Sequence, residues 1–117
     1  MKITDLGNVD KVLMTMEGAQ GAWKQIPLAS ADGVPHYSLR VFTIEPQGHT
    51  PHHSHPFEHM NYIIEGQGAL VDADGNERPV KKGDFALVMP GEVHQYKNTS
   101  ADNIPLIMIC LVPKEYE

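Results

Sequence analysis

Gly48-His49-Thr50-Pro51-His52-His53-Ser54-His55-Pro56-Phe57-Glu58-His59-Met60-Asn61-Tyr62-Ile63-Ile64-Glu65-Gly66 is the stretch on which the fold turns. Five of the seven histidines fall between His49 and His59. On an extended chain, side chains at i and i+2 leave the same face, so His53 and His55 are expected side by side as a chelating pair. His59 follows a gap that contains Pro56, and His94 stands alone downstream, just after Pro90-Gly91. The rest of the chain reads as the scaffold that joins these two places.

Working outward, the flanks are strand-like. Tyr37 to Glu45 alternates Leu39, Val41 and Thr43 with Arg40, Phe42 and Ile44, and Pro46-Gln47-Gly48 is expected to end it. After the histidines, Met60 to Glu65 and Ala69 to Ala73 read as two strands about Gly66-Gln67-Gly68. Asp74-Gly75 marks a hairpin turn and Val80 to Asp84 another turn. A buried strand is expected from Phe85 to Met89, a further strand from Val93 to Lys97, and a last one, apolar on both faces, from Ile104 to Val112. Upstream, Val12 to Met14 and Trp23 to Leu28 read as extended, Glu17 to Ala22 as a loop, and Asp32-Gly33 as a turn. Short strands, frequent turn signals and no helical period predict an all-β, single-domain barrel or sandwich. Residues 1–36 are expected to form an N-terminal arm at the barrel edge or a dimer interface, and residues 37–117 the barrel core. A last strand apolar on both faces needs cover on both, which predicts a homodimer.

Composition narrows the function classes. At 117 residues the chain has room for one core. Its formal net charge is -6 and its basic residues are not clustered, so nucleic acid is not an expected partner. No apolar run approaches the ~20 residues that span a bilayer. Asp5 and Gly7 interrupt what a signal peptide would keep apolar, and Cys110 is the single cysteine, so a cytoplasmic setting without disulfides is expected.

The spacing carries a resemblance. His53-Ser54-His55, three residues, His59, six residues, Gly66 resembles the first motif of the cupins, with Gly48 one position closer than usual and a histidine in place of the family's glutamate. Gly83, five residues, Met89-Pro90-Gly91, two residues, His94, three residues, Asn98 resembles their second motif, with Met89 where a proline is usual. The resemblance spans about residues 37 to 112. It implies a double-stranded β-helix, the jelly-roll-like cupin barrel. The His-Ser-His-Pro-Phe-Glu-His run and the ending Cys110 to Glu115 look most like small bacterial cupins with a four-histidine manganese site. By that resemblance His53, His55, His59 and His94 are the metal ligands, and manganese is the ion. The ligands themselves leave iron, nickel, copper and zinc open.

Four neutral imidazoles leave the full charge of a divalent ion uncompensated, which makes it the stronger Lewis acid. Six-coordination then leaves two sites for a bidentate oxygen substrate or for substrate and dioxygen. Arg40, Cys110 and Tyr96 are the candidate catalytic residues lining the pocket: Arg40 as an anion or carboxylate binder, Tyr96 as a donor on the face of His94, Cys110 by its place in phase with Leu106 and Met108. Phe42, Ile63, Leu106 and Met108 are expected to shape it. His49 is expected in solvent or at the rim, His52 pointing away from His53, His36 ahead of a strand without a role, and Glu58 outward or behind the ligands. No acid or base stands between Ile104 and Val112, which counts against an isomerase. The reading is a metal-dependent enzyme acting on a small oxygenated molecule, an oxygen-using, dioxygenase-like oxidoreductase. A non-enzymatic cupin that binds a metal or a sugar-like ligand, and a metal-assisted isomerase of a sugar acid, are the alternatives.

Overall fold

The computed structural model describes residues 1–117. Nine strands, β1 Val12–Leu13, β2 Gln20–Leu28, β3 Tyr37–His49, β4 His59–Glu65, β5 Gln67–Val71, β6 Glu77–Lys81, β7 Phe85–Val88, β8 Gln95–Lys97 and β9 Leu106–Pro113, are joined by turns and three short 3₁₀ segments. They form one sheet in the order β6-β5-β8-β3-β9-β4-β7, with β2 added beside β3 and β1 beside β2. All named pairings are antiparallel. The sheet curls until its inner face closes on itself, and Ala22, Phe42, Ile44, Ile63, Val80, Tyr96, Leu106, Met108 and Cys110 meet in a single core drawn from six strands. The all-β barrel expected from the turn spacing is the fold observed.

The longest strand departs from its expected end. Pro46-Gln47-Gly48 does not stop β3, which continues to His49. The extra residues are taken up as a bulge: Ala22 pairs with Ile44 and Gln20 with His49, and Gln47 adopts φ 68° at the irregularity. β2 begins at Gln20, inside the segment read as a loop, because its backbone finds β3 as a partner. Val80 and Lys81 close strand β6 rather than open a turn, and the turn itself is confined to Lys82–Asp84.

One expectation about burial is corrected. Phe85 to Val88 is a strand but not a buried one: Phe85 is 82% and Leu87 55% exposed. β7 lies at the sheet's end, so its second face has no layer over it. In β9, Leu106, Met108, Cys110 and Val112 are buried while Ile107, Ile109 and Leu111 are only half covered. Ile63 and Leu106 belong to the core and do not line the pocket.

Candidate metal centre

His53 and His55 do not stand on a regular strand. Residues 50–58 form a loop, since Pro51 and Pro56 bring no N–H to a ladder. One isolated bridge anchors it: His53 N donates to His94 O at 3.1 Å and His94 N to His53 O at 2.9 Å. A second tie runs from Gly91 N to His55 O at 2.9 Å, out of the turn at Pro90-Gly91 where Gly91 holds φ 82°. These bonds place the loop histidines against His94, while His59 enters from the first position of β4. His53, His55 and His94 each bring a ligand atom to within 4.8 Å of the others. His59 packs beside them, its ring centroid 5.0 Å from that of His94 and 5.2 Å from that of His55.

The donor atoms are sorted by their neighbours. The His59 Nδ1–H donates to Asn61 Oδ1 at 2.7 Å, the His94 Nδ1–H to Glu92 O at 2.9 Å, and the His55 Nδ1–H to Phe57 O at 2.8 Å. Each bond holds the proton on Nδ1 and leaves a lone pair on Nε2. The Nε2 atoms of His59 and His94 are 3.2 Å apart. Two lone pairs facing each other at that distance in a buried place repel, and a cation between them removes the conflict. The donor set thus fits a divalent ion, with His53, His55, His59 and His94 as its candidate holders.

Burial acts in the same direction. It is the first cause that lowers the pKa of His59, to about 3, ahead of the opposing bond to Asn61 and of the nearby His94, Arg40 and His55. His94 and His53 are also lowered, chiefly by burial. These imidazoles are therefore neutral near pH 7, the state a metal ligand requires.

The cluster opens on a cavity of about 360 Å³. Phe42, Met108, Asn61 and Tyr96 form part of its wall, Met14 and Met16 come from the N-terminal segment, and Phe57 and Tyr116 from the loop and the last turn. His55, Phe57 and Tyr116 stack in series, with centroids 3.8 and 4.2 Å apart and planes within 12°. That stack fixes the orientation of the His55 ring. Glu117 is the only carboxylate in the lining, and its side chain accepts from Ser30 N, Ser30 Oγ and Ser38 Oγ.

The structure separates the three candidate catalytic residues. Arg40 and Tyr96 line the cavity. Cys110 does not: it is fully buried behind Arg40, whose Nη2 donates to its Sγ at 3.1 Å. The Tyr96 hydroxyl donates to Asn61 Oδ1 at 3.0 Å, and burial raises its pKa, so it stays a protonated donor. His49, His52, His36 and Glu58 stay outside the lining. His52 Nε2 meets Asp72 O, and His49 Nδ1 meets Thr50 O. Sequence reasoning passed over Asn61, Phe57, Lys24 and Tyr116. Asn61 had a legible signal, being two residues after His59 and thus on its face of β4. Lys24 and Tyr116 had none, since only tertiary pairing brings either end of the chain to the pocket.

Comparison with known proteins fits this picture. A family model described as a cupin domain matches residues 40–112. An oxalate-binding protein of Thermotoga maritima is 26% identical over 104 residues, covering 86% of this chain and 84% of that one. The polyketide cyclase RemF of Streptomyces resistomycificus superposes with a TM-score of 0.89 at 26% identity, covering 97% of this chain and 80% of that one. A predicted oxalate decarboxylase of Thermotoga maritima shares the fold with a TM-score of 0.79 at 21% identity, over 96% and 98% of the two chains.

Proposed function

The chain belongs to the cupin family, and from that premise we propose that it is a metal-dependent enzyme acting on a small oxygenated organic molecule, with His53, His55, His59 and His94 holding one divalent ion. The observation that carries the reading is the 3.2 Å approach of two Nε2 atoms whose Nδ1 protons are both engaged elsewhere. Manganese is the ion proposed, on the resemblance to four-histidine cupins. When bound, such an ion supplies a Lewis acid with open positions for oxygen ligands.

The protein's own residues do the rest. Asn61 keeps His59 in the tautomer that offers Nε2, and Tyr96 fixes Asn61 by donating to the same oxygen. Phe42, Met108, Met14 and Met16 give the substrate an apolar wall. With the one lining carboxylate bound to serines, the pocket offers no free general base. That favours oxygen-using, dioxygenase-like chemistry over proton shuttling, and leaves the metal-assisted isomerase of a sugar acid behind. A second reading, redox-neutral polarisation of a carbonyl, is supported by the likeness to the polyketide cyclase. The non-enzymatic alternative is supported by the likeness to the oxalate-binding protein. The working form proposed is a homodimer in the cytoplasm, with the arm of residues 1–36 completing the pocket edge; no helix is long and apolar enough to cross a membrane.

Elemental analysis of the purified protein beside His53→Ala and His59→Ala tests the site: one ion per chain is expected, lost from both variants. Metal content unchanged in both would overturn the assignment. Oxygen-electrode assays with diketones, enols and phenols test the reaction. Metal-dependent oxygen uptake is expected; product formation without uptake would favour carbonyl polarisation, and binding without product the non-enzymatic reading.

A further inference from the structure

One group in the cavity wall is left without a counterpart. Arg40 is 9% exposed and projects from β3 into the pocket that the histidines share. Its only hydrogen bond goes from Nη2 to the Cys110 sulfur, a weak acceptor, and its buried Nε has no partner. The guanidinium lies 4.9 Å from the centre of the Phe42 ring, which holds its plane but carries no charge. None of the protein's four ion pairs includes Arg40.

An arginine buried without an anion is costly, and native interiors normally pair such a charge. Here the cost is compounded. Lys24, half-buried in β2, lines the same cavity and donates only to the Glu117 backbone oxygen, at 3.3 Å. Burial, and then the charge of Arg40, push the Lys24 pKa down against the opposing pull of the Glu117 charge, so the two cations lie within each other's field. The lining carboxylate of Glu117 is held by Ser30 and Ser38. Of the charged side chains in this lining, Lys24 has the Glu117 carboxylate beside it and Arg40 has no carboxylate partner.

We propose that Arg40, assisted by Lys24, forms an anion-binding end of the cavity, and that the enzyme's substrate is a carboxylate whose acid group lies on the guanidinium while a second oxygen reaches the histidine cluster. The planar fork of arginine matches a carboxylate with two parallel N–H···O bonds. A neutral diketone or sugar would leave Arg40 unpaired in the pocket. Arg40 is thus a specificity-determining residue for charge at one end of the substrate. This substrate class rests on the function proposed above; the anion subsite stands on Arg40 and needs no metal.

Calorimetric titration of the full chain, metal-free and metal-loaded, with oxalate against oxamide and salicylate against salicylamide tests it, since each pair differs mainly in charge. In the wild-type protein at least one acid is expected to bind about tenfold more tightly than its amide in both metal states, and Arg40→Gln is expected to reduce that preference to about twofold or less. Lys24→Met should weaken it by about threefold. If Arg40→Gln does not fold by circular dichroism, Lys24→Met decides, an unchanged preference counting against the proposal. No preference in the wild type, a preference retained in Arg40→Gln, or one present only when metal is bound would overturn it. Loss of metal binding with the preference intact in the metal-free protein would instead remove the metal site and leave the anion subsite standing.

Discussion

At the scale of single residues, Asn61 governs more chemistry than its neutral side chain suggests. Its Oδ1 accepts from both His59 Nδ1 and the Tyr96 hydroxyl, so it decides which His59 nitrogen faces the cluster. Asn61→Leu keeps the volume and removes the acceptor; metal affinity measured against a competing chelator should fall about 10- to 100-fold. Tyr96→Phe should fall less, because His59 retains its partner. The histidines also set a pH dependence. In the unfolded chain His59 titrates near its ordinary 6.5, and in the folded, metal-free protein near 3. Between those values the unfolded state binds the extra proton, so stability is greatest above pH 6.5 and falls as pH drops toward 3, by up to about 1.4 kcal/mol per pH unit for this one group. His53 and His94, also lowered, add to the same slope. Urea midpoints of the metal-free protein at pH 7.5, 6 and 5 should therefore decline in that order, and a flat series would count against the buried neutral cluster.

At the scale of elements, the site depends on connections that are tighter than their sequences announce. Gly66 joins β4 to β5 at φ 80°, and a Cβ built there would lie 2.2 Å from Pro105 O. Gly66→Ala should then cost about 2 kcal/mol or more, from left-handed strain together with the displacement of the Pro105 backbone, read as a lowered urea midpoint with an unchanged slope. The loop 50–58 is held differently, by its two-way bridge to His94, and so belongs to the site more than to the sheet. Parity along an extended chain brought His53 and His55 together in the sequence reading. In the structure they are neighbours, ring centroids 5.4 Å apart, but on a loop that prolines keep out of the ladder. The bulge in β3 was similarly illegible. Pro-Gln-Gly reads as a stop unless a partner strand, here β2, absorbs the irregularity.

At the scale of the molecule, one face of the barrel lacks cover. Met60 pairs with Leu87 and with Leu111, Tyr62 with Phe85 and with Ile109, so their side chains form an apolar field across β7, β4 and β9. Tyr62 and Phe85 meet with centroids 4.6 Å apart. A second copy of the chain presents the same field, and an isologous contact would cover both at once. Sedimentation of the wild type should give twice the 13.0 kDa chain mass, and Phe85→Glu with Leu87→Glu should give the single-chain mass with metal content unchanged. A wild type that sediments as a monomer would end the dimer reading.

What the sequence determined by itself was local: period-two strands, glycine and proline turns, and histidines at a spacing that a known barrel uses. Those features depend on residues close in the chain, which is why the barrel class and the candidate metal residues were legible. Tertiary structure alone decided the rest. It put Asn61 beneath His59, buried Cys110 behind Arg40, exposed Phe85 at a sheet end, and brought Met14, Lys24 and Tyr116 to one cavity. Each of these is a question of which distant strand covers which face. Neither periodicity nor spacing carries that information, because it is settled only when the sheet closes.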